Sequence, residues 1–406
     1  MPSLKGNVSW AFAGNAVYSF SLWLVLAMMA HFYGAEKVGF YSIGLAIVGP
    51  VFSFFNLNLR AYQSTDQNYD FDVGFYVSFR FFTSVIAFLV LQILCVFLDY
   101  SKEVILCIEI VCFVKLFEAF SDVLHGESQR KEELDFVGRS LIYRGVFSVV
   151  LFGVVSWVFD SFYITLLSIL FSYMLVFVFH DLSFYWKVIC LNINFKGFVG
   201  VFYSVLPLGF VLLVNALAVN VPRYFIENEY GYEVLGVYAA ISYFIVAGAI
   251  FMNAVGQSLL PRMTKLSNDY YSLIKVLKKF FMMAIIIGLI GVFVAFVVGE
   301  YIVVVFYGND FIQYGYFLNY IMMVALVMYL SNVVGTTLTS LRFFGYQSIV
   351  SIVFLVFVIV FSYSFIPKYG LDGAALALLL SYFMKFVFSG FILFVKLNDI
   401  KSREAS

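Results

Sequence analysis

The sequence predicts an all-α polytopic membrane protein. Its plan is about twelve transmembrane helices in two parallel-repeat six-helix lobes around a central cavity. Three observations predict this. Of the 406 residues, 63% are hydrophobic and 12% are charged; soluble chains average about 45–50% and about 25%. The apolar residues fall in continuous runs of about 20, long enough to cross a bilayer. They lack the alternation over about ten residues that marks a barrel strand. A turn motif also recurs half a chain apart. Such a composition excludes a soluble enzyme, a secreted disulfide scaffold and a disordered chain. The 24 Lys and Arg balance 24 Asp and Glu, which argues against nucleic acid as a partner.

Taken in order, the spans are expected at roughly 8–33, 38–59, 73–98, 104–125, 140–159, 162–182, 198–221, 234–260, 280–303, 316–341, 347–366 and 371–395. The first follows Lys5 and is far longer than the apolar core of a signal peptide, so it is read as a retained span. No connection exceeds roughly 20 residues, so no extramembrane domain is expected. With the N-terminus placed in the cytoplasm, about 17 Lys and Arg fall on that side and about 4 on the other, namely Lys37, Lys102, Arg223 and Lys368. The positive-inside rule then puts both termini in the cytoplasm. Cys95, Cys107, Cys112 and Cys190 form no CxxC pair and read as small buried hydrophobes.

Gly34-Ala35-Glu36-Lys37-Val38-Gly39-Phe40-Tyr41 follows the first span. Gly231-Tyr232-Glu233-Val234-Leu235-Gly236-Val237-Tyr238 follows the seventh. Both read G-x-E-x-apolar-G-x-Y, and the leading glycine suits a tight turn back into the membrane. Ser172-Tyr173 and Ser381-Tyr382 echo one another at a similar offset. Copies six spans apart enter from the same side, so the repeat is parallel. It divides the chain into lobes 1–196 and 197–406.

Ionisable residues inside spans are costly and usually face a bundle interior or water. Lys115, Glu118 and Asp122 share one face of the fourth span, with Glu109 deeper. They read either as a self-neutralising pair, Lys115 with Glu118 or Asp122, or as the wall of a wet cavity. Arg60 ends the second span after Asn56 and Asn58. Arg80 lies two turns inside the third, facing a cavity or snorkelling to the surface. Arg223 ends the seventh beyond Asn215 and Asn220, and Lys385 lies near the middle of the twelfth. Cations in such places suit an anionic, phosphate-bearing substrate. Glu118 and Asp122 are the candidates for ion coupling. Pro50 and Pro207 interrupt their spans as static kinks or as hinges. There is no Gly-rich phosphate loop. His31, His125 and His180 lie near span ends without metal-ligand spacing, and His125 reads as interfacial. The expectation is a non-enzyme with no cofactor and no metal, driven by a proton or sodium gradient if by any.

Several segments resemble the Wzx-type polysaccharide flippases of the multidrug/oligosaccharidyl-lipid/polysaccharide exporter superfamily. They are Gly14-Asn15, Trp23, Gly39-Phe40-Tyr41 and Leu57-Asn58-Leu59-Arg60; then Lys115, Glu118, Ser121-Asp122, Gly126, Gln129-Arg130, Glu133, Ser140 and Arg144-Gly145; and finally Leu260-Pro261-Arg262 and Tyr369-Gly370-Leu371-Asp372-Gly373-Ala374-Ala375. The resemblance covers essentially the whole chain and is stronger in its first half. It implies a carrier in the bacterial inner membrane that moves an undecaprenyl-diphosphate-linked oligosaccharide, such as an O-antigen unit, to the periplasmic leaflet by alternating access. It puts Arg60, Lys115, Glu118, Asp122 and Arg130 at matched positions, and a polymerase and chain-length proteins among the partners. A multidrug exporter of the same superfamily is the first alternative and a membrane polysaccharide polymerase the second. Twelve spans disfavour the fourteen-span lipid II flippases.

Overall fold

Backbone amides in lipid must be satisfied within the segment, so long apolar runs become helices. The computed structural model follows this rule. It describes residues 4–66, 70–187, 189, 192–267 and 269–405, which leaves Cys190 outside. The helices are α1 (Leu4–Asn56), α2 (Leu59–Thr65), α3 (Val73–Phe97), α4 (Lys102–Arg130), α5 (Leu134–Val158), α6 (Phe162–Val176) and α7 (Ser183–Tyr185), then α8 (Phe195–Ser242), α9 (Phe244–Lys265), α10 (Tyr270–Tyr307), α11 (Phe317–Ser340) and α12 (Phe344–Ala405). A π-helical turn, Phe177–Leu182, joins α6 to α7, and a 3-10 turn, Asn309–Tyr314, precedes α11. There is no strand among the described residues.

Side chains in the connections set several helix starts. The Asp72 carboxylate accepts from the Phe75 amide (2.8 Å) at α3, and Asp269 accepts from Ser272 (2.9 Å) at α10. Each satisfies an amide that has no partner within its helix. Among the described residues, eight helical stretches are long and apolar enough to cross a membrane. Three of them, Ser9–Thr65, Phe195–Lys265 and Gly345–Ser402, are each long enough for two crossings. The charged α4 adds a further helix of spanning length. The set is compatible with about twelve crossings.

The long helices turn at glycines. Gly34 has φ 77 and ψ 176, and Gly231 has φ 76 and ψ −172. Both lie in a region of backbone space open essentially to glycine alone. The motif repeated in sequence is therefore repeated in backbone geometry. A Cβ at either position would meet nothing within 4 Å, so the requirement is dihedral and not one of space. Gly34→Ala should cost roughly 1–3 kcal/mol. Thermal unfolding in detergent measures this, and an unchanged midpoint would refute the requirement. Pro50 and Pro207 lie within α1 and α8, but the residues there with non-helical dihedrals are Gly34 and Gly231.

A second pair of corners matches. Glu132, after α4, and Arg342, after α11, both have φ 61. In each case the next amide reaches back to the helix, Glu133 to the Ser128 carbonyl (2.8 Å) and Phe343 to the Leu338 carbonyl (3.0 Å). This is the hydrogen-bond pattern of a Schellman termination.

The chain forms two compact units, Met1–Leu217 and Ala218–Ser406, and divides within α8. In the first, α1 lies tight against α5. A Cβ on Gly14 would fall 2.7 Å from the Gly138 Cα, and one on Gly145 would fall 2.6 Å from the Ser21 Oγ. A second core gathers Leu57, Phe75, Tyr76, Phe79 and Val123 around Phe198, Val201 and Val205. In the second unit, α9 to α12 pack Leu273, Phe280, Tyr329 and Val333 into one core. The Tyr329 hydroxyl there donates to the Ile245 carbonyl (2.8 Å), which spares a buried polar group.

Candidate functional site

The polar stripe of α4 organises the first unit. The helix starts at Ser101, whose hydroxyl accepts from the Val104 amide (3.4 Å). About four turns on, the Lys115 Nζ meets Glu118 Oε2 at 2.5 Å. The Tyr18 hydroxyl of α1 donates to the other oxygen of Glu118 and lies 2.7 Å from the Tyr173 hydroxyl of α6. One turn further, Asp122 stands between two arginines. Its Oδ1 is 3.6 Å from Arg60 Nη1 and its Oδ2 is 3.8 Å from Arg80 Nη2. Of the two pairings the sequence left open for Lys115, the structure has Glu118. Glu109, deeper in α4, accepts from Gln92 (2.7 Å).

Exposure separates these cations. The side chains of Lys115, Glu118, Arg60 and Asp122 are 22–32% exposed, so they keep surface that water or a ligand can reach. Arg80 is 1% exposed, and the snorkelling alternative fails. Its guanidinium donates to the Asn56 side chain (2.8 Å) and to the carbonyls of Phe55 (3.3 Å) and Asn56 (3.2 Å). Arg80 therefore caps the last carbonyls of α1. The chain then turns through Leu57 (φ 54) and Asn58 (φ 51), both left-handed. Asn56 and Asn58 consequently do not share one helix. Arg60 enters α2 just beyond and also donates to Gln129 (3.0 Å).

Arg130 ends α4 with a side chain 1% exposed. It pairs with Asp66 (3.3 Å) and Glu127 and donates to the Phe71 carbonyl (3.0 Å). Lys131 joins Glu127 at 3.2 Å. The group ties the connection after α2 to the end of α4.

In the second unit, Arg223 donates to Asn220 (3.0 Å), one turn earlier on α8. The Lys385 ammonium of α12 sits 4.5 Å above the Phe354 ring and 5.8 Å from that of Tyr382. Rings attract cations through their quadrupole. Among the described residues no carboxylate comes within ion-pair distance of Lys385. The structure thus sets Lys115, Glu118 and Asp122 on neighbouring turns of α4 and brings Arg60 of α2 and Arg80 of α3 to Asp122. Arg130 lies two turns beyond, and Arg223 and Lys385 belong to the other unit.

One cluster escaped sequence reading. Asp181, fully buried, accepts from Arg144 Nη2 at 2.5 Å and lies 2.9 Å from His180 Nδ1. His125 Nε2 lies 3.7 Å away. His125, expected near the membrane interface from its place at a span end, is 3% exposed and so enclosed within the protein. Packing against Phe136 and the curl of the π-helical turn enclose it. Among the described residues no group of three His, Cys, Asp or Glu is arranged to hold a metal ion.

Comparison with known proteins adds independent findings. Residues 55–315 match a family described as "Polysaccharide biosynthesis protein". A capsular polysaccharide biosynthesis protein of Staphylococcus aureus, CapF, is 28% identical over 388 residues, covering 94% of this chain and 97% of the relative. Among solved structures, the lipid II flippase MurJ in an inward closed conformation superposes with a TM-score of 0.76 at 15% identity, covering 98% of this chain and 91% of that one. The multidrug transporter DinF-BH gives a TM-score of 0.71 at 15% identity, covering 97% and 95%. At such identities the two structures testify to a shared fold.

Proposed function

The chain belongs to the polysaccharide biosynthesis protein family, and from that premise we propose that it is a flippase for a lipid-linked oligosaccharide. Its substrate is a surface-polysaccharide repeat unit on undecaprenyl diphosphate, carried from the cytoplasmic to the periplasmic leaflet by alternating access. The observation that carries this reading is the two partly exposed cations Arg60 and Lys115, each set against a carboxylate of α4. The name of the capsular relative and the flippase fold of MurJ support it.

In this reading, Arg60 and Lys115 neutralise the diphosphate. Arginine meets phosphate oxygens through a planar fork, and lysine meets them as a point charge. Glu118 and Asp122 hold those cations while the site is empty, and one of them is the seat of ion coupling. Arg80 and Arg130 act from buried positions, Arg80 by fixing the corner beside Arg60 and Arg130 by fixing the connection after α2 to the end of α4. Arg223 and Lys385 offer anion contacts in the second lobe, and Pro50 in the first lobe and Pro207 in the second give their helices places to flex. The lobes are taken as 1–196 and 197–406. The isoprenoid tail stays in the bilayer. The chain does no covalent chemistry, resides in the bacterial inner membrane with both termini cytoplasmic, and works beside a polymerase and chain-length proteins.

Arg60→Ala and Lys115→Ala should each lower export at least about tenfold, equivalent to about 1.4 kcal/mol of lost substrate binding. Partly exposed pairs contribute only about 0–1 kcal/mol to folding, so protein levels should hold. Arg60→Lys and Lys115→Arg should be milder. Surface polysaccharide and the leaflet position of lipid-linked units are the readouts. Full export by the double alanine variant at normal protein level would defeat the assignment. A multidrug exporter would instead reveal itself by drug sensitivity on deletion, with polysaccharide unchanged.

A further inference from the structure

Asp181 makes its contacts to Arg144, His125 and His180 and not to Arg60 or Lys115, and the transport reading gives the cluster no role. Its composition is unusual for the end of a membrane span. A fully buried carboxylate faces an arginine and two histidines drawn from three different elements. The π-helical turn Phe177–Leu182 makes this possible, because the wider turn lets His180 and Asp181 both reach inward. Single π turns of this kind recur at functional sites.

Two buried nitrogens of the cluster have no hydrogen-bond partner, Arg144 Nε and His125 Nε2. His125 Nε2 is buried and has no hydrogen-bond partner, yet it points at Asp181 Oδ1 from 3.7 Å. Hydrogen bonds from nitrogen to oxygen close to about 2.7–3.2 Å. A buried polar atom left just outside that range costs about 1–3 kcal/mol. A proton on Nε2 would remove that cost, turning the gap into a charge-assisted bond. A metal ion would not fit, since the Arg144 guanidinium already occupies the other carboxylate oxygen and repels a cation.

We propose that His125, Asp181 and His180 form a proton-binding site in the N-terminal unit, and that the proton resides between His125 Nε2 and Asp181 Oδ1. The proton enters through His180, whose side chain is 20% exposed and whose Nδ1 contacts the same oxygen at 2.9 Å. The exposed edge of His180 borders a cavity of about 400 Å³ walled by Tyr143, Phe147 and Phe179. The other groups facing the site are Arg144 from α5, Arg60 from α2 and Tyr143, whose ring meets that of His180 edge-on at 5.2 Å.

Occupancy reaches the substrate patch through Arg144. Its guanidinium lies 5.8 Å from the centre of the Tyr173 ring, and the Tyr173 hydroxyl bonds to Tyr18, which donates to Glu118. A proton on His125 gives Asp181 a second cationic partner and loosens its hold on Arg144. The change in field and position is then felt at Glu118 and its partner Lys115. The site itself stands without the transport reading; only this coupling rests on it.

The test uses the full chain in lipid nanodiscs. Its three histidines allow each ring to be followed by nitrogen NMR, with His31→Gln and His180→Gln for assignment. His125 should titrate, and in Asp181→Asn its midpoint should fall by at least one pH unit. An unchanged midpoint overturns the site and leaves the flippase reading intact. His125→Gln removes the titrating group without leaving a charge behind, and guards against misfolding of Asp181→Asn. At normal protein level its export should lose the wild-type pH profile. A wild-type pH profile in that variant overturns the coupling.

Discussion

Arg144→Ala is expected to lower folding stability by about 3–5 kcal/mol, the usual loss when one partner of a buried ion pair is removed. The reason is local. The Asp181 carboxylate is fully buried, and Arg144 is the fixed positive charge that touches it. Without the guanidinium, a carboxylate remains in a region closed to water. Net stabilities are about 5–15 kcal/mol, so the variant should scarcely accumulate. Thermal unfolding monitored by size-exclusion, together with membrane protein level, checks this. Arg144→Lys keeps the charge but loses the planar group over Tyr173, and should recover part of the loss. A midpoint for the alanine variant within a degree of wild type would show that Asp181 is not held as described.

The second large effect is expected where α1 meets α5. A Cβ on Gly138 would lie 2.5 Å from the Trp10 carbonyl oxygen and 2.9 Å from its carbon. Both are backbone atoms, which cannot swing aside. Gly138→Ala should therefore cost about 1–3 kcal/mol, the range for overpacking, and Gly138→Leu should cost more. Gly200 provides the control. It is helical, with nothing within 4 Å of its Cβ position, so Gly200→Ala should be neutral or stabilising by about 0.4–1 kcal/mol. Equal effects at the two glycines would refute the close approach.

Much of the fold was legible because its causes are local. Apolar runs betray spans, and the G-x-E-x-apolar-G-x-Y motif betrays two equivalent corners, which reappear as matched dihedrals at Gly34 and Gly231. The stripe Lys115, Glu118 and Asp122 was legible from helical spacing alone. Its pairing was not, since Asp122 is claimed by arginines 62 and 42 residues earlier, Arg60 and Arg80. Whether a cation is buried as Arg80 is, or half-exposed as Arg60 is, depends on a left-handed corner at Leu57 and Asn58 that no spacing rule announces. Asp181 was missed because it sits at the end of an apolar run, where a carboxylate reads as the start of the water phase. Its setting in a π-helical turn was the hidden feature.

The charge carried by α4 bears on how the chain enters its membrane. By composition α4 falls short of the apolar character that the eight qualifying stretches have, and a lone segment of this kind partitions poorly into lipid. Its helpers are split by time of synthesis. Tyr18, Arg60 and Arg80 precede it on the ribosome, whereas Tyr173, Arg144 and Asp181 follow. Asp122 thus finds its counter-ions already waiting, while Glu118 has only Tyr18 and its own neighbour Lys115. Integration of α4 accordingly depends on α1 to α3 being retained beside the insertion machinery. A nascent chain that releases them early would leave α4 outside the bilayer and every later helix in inverted orientation.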